Sequence, residues 1–316
     1  MLGRKRENAM ASLAGIFAAA ATPLKADLGI DAERLIAHCR WLLGEGGCDG
    51  VNLLGTTGEA TSFSVEQRLD AMRAVAESGL PMARLMVGTG AAALSDAIRL
   101  TSGACELGFA GALLLPPFFY KGIDDENVYA YAARVIEQAG GGKLGIYLYH
   151  IPQMSAVPYN FAVVEKLAAH FPGVVAGIKD SSGDFENSTG LARRFPALAV
   201  FPGSEGFLAK APDAGFAGCI SGTTNINGGF VSRGWEARDT DAGKASLKAA
   251  GAIRDALTAF SIVPAVKWTL AEMRGDPEWR RVHPPLRGLS DAEWEALRGQ
   301  LAQTELFGPE RSRLLA

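Results

Sequence analysis

Gly50-Val51-Asn52-Leu53-Leu54-Gly55-Thr56-Thr57-Gly58-Glu59 passes from a largely apolar run into a turn of small and hydroxylated residues. Ser64 and Gln67 then have the spacing of a capping box that opens a helix. A short run that does not alternate polar and apolar is covered on both faces, as in a parallel sheet. The unit recurs. Runs of this kind stand at 15–22, 50–55, 84–88, 111–116, 144–149, 174–179, 198–203 and 218–222. Amphipathic segments separate them. Asp31 caps one in which Leu35, Ile36, Cys39, Leu42 and Leu43 share a face. Eight strand–helix units predict an α/β fold, a closed (β/α)8 TIM barrel, with an open doubly wound sheet as the alternative. Helical patterns at 241–260, 264–274 and 291–303 predict a C-terminal extension.

No linker divides the 316 residues, so one domain is expected: a flexible leader at 1–13, the barrel at 14–237, and packed helices at 238–316. Arg4, Lys5 and Arg6 before the apolar run 9–21 imitate a signal peptide. That run leads straight into Thr22-Pro23 and a capped helix, so it reads as a buried first strand. No stretch reaches the ~18 apolar residues of a membrane helix.

With 48% hydrophobic and 21% charged residues and a net charge of -3, the chain is globular and lacks the clustered basic face of a nucleic-acid binder. Cys39, Cys48, Cys105 and Cys219 have no paired spacing, and His38, His150, His170 and His283 no ligand spacing. No metal site or disulfide is expected, and free thiols suit a reducing cytoplasm.

In such a barrel, chemistry sits at the C-terminal ends of the strands. The Gly55–Glu59 turn can gather N–H groups and hydroxyls around a carboxylate, or it is a tight turn with incidental threonines. Tyr147-Leu148-Tyr149-His150-Ile151-Pro152 supplies a phenol, or is an aromatic core strand. Gly177-Ile178-Lys179-Asp180-Ser181-Ser182-Gly183 puts a lysine at the tip of an apolar strand. Burial there favours the neutral amine, the form that attacks a carbonyl; the alternative is a surface lysine paired with Asp180. Gly88-Thr89-Gly90 faintly imitates a dinucleotide fingerprint but lacks the third glycine and an acidic partner.

Taken together, GTTGE at 55–59, GTG at 88–90, YHIP at 149–152, GIKDSSGD at 177–184 and GCISGTTN at 218–225 resemble the dihydrodipicolinate synthase / N-acetylneuraminate lyase family. The likeness runs from about residue 14 to the C-terminal helices. It implies that Lys179 forms a Schiff base with pyruvate or another 2-keto acid and that Tyr149 shuttles protons. It further implies that Thr56 and Thr57 hold the carboxylate, that Thr57 also bonds Tyr149, and that the Ile220 carbonyl faces the keto acid. No metal or organic cofactor is implied; a cytoplasmic homotetramer, a dimer of dimers, is.

The departures bear on the substrate. Met154 stands where the synthases carry an arginine for the aldehyde's carboxylate, and a thioether cannot replace a guanidinium. Phe119 replaces a tyrosine that reaches across a subunit interface, with Tyr120 beside it. Gly203-Ser204-Glu205-Gly206 keeps, in Glu205, one of two acidic residues that the sugar-acid lyases set against substrate hydroxyls. Val65 and Ala92 replace polar residues of the feedback-lysine site. The expectation is a class I aldolase or lyase joining a 2-keto acid to a small hydroxylated aldehyde. The alternatives are a dehydratase of 2-keto-3-deoxy sugar acids, dihydrodipicolinate synthase itself, and a keto-acid-binding regulatory protein.

Overall fold

The computed structural model describes residues 13–140 and 144–307. Apart from Leu13, the expected leader lies outside them, as does the end of the chain from 308. The strands are β1 (Gly15–Ala19), β2 (Gly50–Leu53), β3 (Leu85–Gly88), β4 (Gly111–Leu114), β5 (Gly145–His150), β6 (Val175–Asp180), β7 (Ala199–Pro202) and β8 (Gly218–Ser221). Every pairing between them is parallel, in the order β7-β6-β5-β4-β3-β2-β1-β8. Between β7 and β8 the Ala217 N–H donates to Val200 O at 2.9 Å, which brings the ring to near closure. The open doubly wound alternative is thereby excluded. Asp31 caps the helix Ala32–Leu43, and the Ser64–Gln67 box opens Val65–Glu77, both as expected.

Side chains fill the barrel in layers, as the two-residue period of each strand requires. The even strands present glycine at the lower inward position: Gly50, Gly111, Gly177 and Gly218. Rings stand against the first three, and the Gly15 backbone against Gly218. A Cβ on Gly50 would come within 2.1 Å of Phe17, and one on Gly111 or Gly177 within 2.9 or 2.8 Å of Tyr147. Phe201 packs edge-on to Phe17 at 5.7 Å, and the Tyr147 hydroxyl accepts the Leu13 N–H. Burial of each ring contributes about 2 kcal/mol. One layer up, the even strands present Asn52, Leu113, Lys179 and Ile220, all buried. An aromatic floor thus lies under the lysine.

The extension consists of the helices Asp241–Thr258, Ile262–Arg274 and Asp291–Leu301, within a few residues of the sequence pattern. They bury Ile253, Leu257, Trp268, Trp279, Trp294 and Leu297 in a second core. Among the described residues no single helix is long and apolar enough to cross a membrane.

Candidate active site

β5 and β6 pair with Tyr149 opposite Lys179, so the phenol and the amine leave neighbouring strands at the same height. Lys179 is 4% exposed; its Nζ lies 3.4 Å from the Tyr149 hydroxyl and 4.4 Å above the ring centroid. The paired-surface-lysine alternative fails. Asp180 instead accepts from Ser182 N (2.9 Å), Asn187 Nδ2 (2.9 Å) and Ser188 Oγ (2.7 Å). Beside it, burial lowers the pKa of His150, whose Nδ1 accepts the Tyr159 N–H.

Thr56 Oγ1 stands 3.0 Å from the Tyr149 hydroxyl. This corrects the expectation that Thr57 makes that bond. The turn projects the first threonine toward β5 and tucks the second against β8, where a Cβ on Gly222 would meet Thr57 Oγ1 at 2.7 Å. The turn itself is bracketed by two non-glycine residues in the left-handed region, Leu54 (φ 49) and Glu59 (φ 56). Each costs about 1 kcal/mol or more, a strain typical of functional loops. It is closed by Glu59 N→Thr56 O and Ala60 N→Gly55 O. Among the described residues the N–H groups of Thr56 and Thr57 donate to no protein acceptor, as an anion cradle requires.

Two anchors of this turn went unread in the sequence. Glu59 is fully buried and pairs with Lys267 Nζ at 2.5 Å, while its other oxygen accepts the His283 N–H at 2.6 Å. Burial lowers the pKa of Lys267, opposed by Glu59. The signal was a lysine inside the apolar run Ala265-Val266-Lys267-Trp268. The second is Arg68, on the helix after the turn: NH2 donates to Gly88 O (2.8 Å) and NH1 to Gly90 O (3.0 Å), holding the end of β3.

Glu205 is turned into the fold and does not line the cavity above Tyr149. One carboxylate oxygen accepts from Thr223 and Asn227, the other from Ser221 and Arg254, the last at 2.9 Å. Burial acts to raise its pKa, but Arg254 and these donors outweigh it and hold it below the usual range. Its lone pairs are spent inside the fold, which corrects the hydroxyl-binding expectation. Gly203 follows β7, its N–H bound to Asp180 O and its Cα against Ser181; Ile220 lies in the layer of Lys179. Phe119 and Tyr120, 70% and 72% exposed, meet edge-to-face, their ring centroids 5.4 Å apart.

A cavity of about 310 Å³ opens above Tyr149 and Thr56, walled by Thr61, Ser62, Arg68, Leu115, Phe118 and Met154 among others. Tyr149 and Thr56 line it, and the Lys179 amine lies behind the phenol at 3.4 Å; amine, phenol, hydroxyl and anion cradle are together the equipment of a Schiff-base (class I) aldolase or lyase. Residues 12–304 match the sequence profile of the Dihydrodipicolinate synthetase family, and the chain belongs to that family. It is 35% identical to an uncharacterized DapA-like lyase of Chloroflexus aurantiacus over 92% of this chain and 96% of the relative. It is 31% identical to N-acetylneuraminate lyase of Salmonella paratyphi B over 69% and 71%. Dihydrodipicolinate synthase of Agrobacterium tumefaciens superposes with a TM-score of 0.84 at 30% identity, over 92% of this chain and 99% of that one. The protein is an enzyme, a pyruvate-dependent lyase of this family.

Proposed function

We propose that Lys179 condenses with a 2-keto acid, pyruvate in the simplest case, and that the enzyme makes or breaks a C–C bond to a small hydroxylated aldehyde. The observation that carries this is the buried Lys179 amine against Tyr149, itself bonded to Thr56. The neutral amine adds to the keto carbon. Tyr149 hands a proton to the carbinolamine oxygen, which leaves as water and gives the protonated imine. In the cleavage direction the C4 hydroxyl loses its proton to Tyr149, the C3–C4 bond breaks, and its electron pair moves into the imine as an enamine. Protonation at C3 and addition of water then release the keto acid and free Lys179. Thr56 and Thr57 hold the carboxylate, with Gly203 and the Ile220 carbonyl beside the substrate. The chemistry calls for no metal or organic cofactor. Thr61 and Ser62 give the cavity hydroxyls for a hydroxylated acceptor. Met154 argues against dihydrodipicolinate synthesis. The dehydratase is the second reading, since the same imine acidifies the C3–H, and loss of that proton expels the C4 hydroxyl as water.

The exposed Phe119–Tyr120 pair supports a contact between copies, within a cytoplasmic homotetramer built as a dimer of dimers. The test is borohydride reduction with pyruvate followed by peptide mass spectrometry. An adduct on Lys179, absent in Lys179→Ala, is expected; no adduct with any 2-keto acid refutes the proposal. Release of pyruvate from a 2-keto-3-deoxy sugar acid then separates aldolase from dehydratase.

A further inference from the structure

Arg68 is 3% exposed, yet no carboxylate reaches it: Asp96 acts on it from beyond ion-pair distance, and its two hydrogen bonds go to carbonyls. A guanidinium has five N–H donors. Two are engaged here, and Nε is buried with no partner. Burying a cation without a counter-ion is costly, and a protein that needs only to tie down two carbonyls can do so with a neutral amide. The charge therefore has a use that the folded chain alone does not supply.

Its location gives that use. Among the described residues Arg68 is the one arginine or lysine on the wall of the cavity that Tyr149 and Thr56 line, and the other acidic or basic residue there, Glu59, is neutralised by Lys267. Burial lowers the Arg68 pKa only to about 10, so it is charged at neutral pH. NH1 and NH2 donate to the end of β3, and among the described residues buried Nε has no acceptor, which leaves Nε and the second N–H of a terminal nitrogen as the unpaired edge, the side-on geometry that takes a carboxylate by two parallel bonds.

We propose that Arg68 is a specificity residue: it binds an anionic group at the far end of the acceptor, so that the preferred aldehyde carries a carboxylate or phosphate. The guanidinium absent at Met154 is thus replaced from another wall of the same cavity. The proposal rests on the imine reading for where the keto acid lies. It predicts discrimination between ligands that differ only in charge, which a purely structural arginine would not give.

The experiment measures binding of succinate and of its neutral analogue succinamide to the full-length protein by calorimetric titration, for the natural chain, Arg68→Gln and Arg68→Lys, with melting temperatures as a check on folding. The natural chain is expected to bind succinate at least tenfold more tightly. Arg68→Gln should erase that preference, and Arg68→Lys, which keeps charge but not the fork, should keep part of it. Should Arg68→Gln not fold, a drop in preference in Arg68→Lys alone supports the proposal and an unchanged preference overturns it. Equal affinity for both ligands in the natural chain, or equal weakening of both in the variants, also overturns it. Trapping of pyruvate on Lys179 reports separately on the imine, so loss of one idea is distinguishable from loss of the other.

Discussion

Replacing Lys267 by Met would strand the Glu59 carboxylate inside the fold with only the His283 N–H for company. Both side chains of the pair are fully buried and 2.5 Å apart. Removing one partner of such a pair costs about 3–5 kcal/mol, because the remaining charge keeps its desolvation penalty and loses its compensation. Unfolding entropy of roughly 2 cal/mol/K per residue gives this chain about 0.7 kcal/mol/K, so a loss of about 4 kcal/mol lowers Tm by about 6 °C. The double variant Lys267→Met/Glu59→Gln should recover at least half of that, since a neutral amide oxygen still accepts from His283. Because Glu59 closes the carboxylate turn, pyruvate trapping should weaken in the single variant and return in the double. Differential scanning calorimetry at pH 7 with parallel trapping measures both. A single variant within 1 °C of the natural chain, or a double variant less stable than the single, would refute the reasoning.

Three further outcomes follow from the geometry. Tyr149→Phe should form the Lys179 adduct under borohydride more slowly and lose roughly 10²–10⁴ in turnover, since the proton carrier of both steps is gone; timed trapping and steady-state kinetics check it. His38 is buried between Asn225 Oδ1 and Arg274, each at 2.8 Å, and burial lowers its pKa from 6.5 to about 3. The unfolded chain binds a proton there below pH 6.5 and the folded one does not, so stability is full above pH 6.5 and falls as pH drops toward 3. About 2 kcal/mol should vanish between pH 6.5 and 5.0 in urea titrations, and His38→Gln should abolish that slope. Met154 is 62% exposed on the cavity wall, so Met154→Arg should leave Tm within about 1 °C and raise kcat/KM for carboxylated aldehydes at least fivefold; unchanged selectivity would count against the role given to this position.

Much of this protein was legible in its sequence, because continuous apolar runs, caps and strand-end motifs are local signals. The eight runs foretold the strands: six were longer than their strands, as where Leu54 and Gly55 turn away after β2, while those at 144–149 and 174–179 had the right length one residue early. Lys179 and Tyr149 could be placed side by side once their strands were known to be neighbours. Which threonine meets the phenol was not legible: the choice depends on the left-handed turn at Leu54, and no spacing rule distinguishes adjacent hydroxyls. Glu205 misled for a related reason. A motif fixes where a carboxylate begins, while Ser221, Thr223, Asn227 and Arg254, drawn from β8 and two later helices, decide where it points.

The anchoring of Glu59 also has a consequence in time. Its partners Lys267 and His283 lie 208 and 224 positions further along the chain. During synthesis all eight strands have emerged before either arrives, so a nascent chain can assemble its sheet while the carboxylate turn still lacks its counter-charge. The anchoring of the turn therefore waits on segments translated after the barrel. A ribosome stalled near position 260 would expose a barrel with every strand present and a keto-acid turn not yet set.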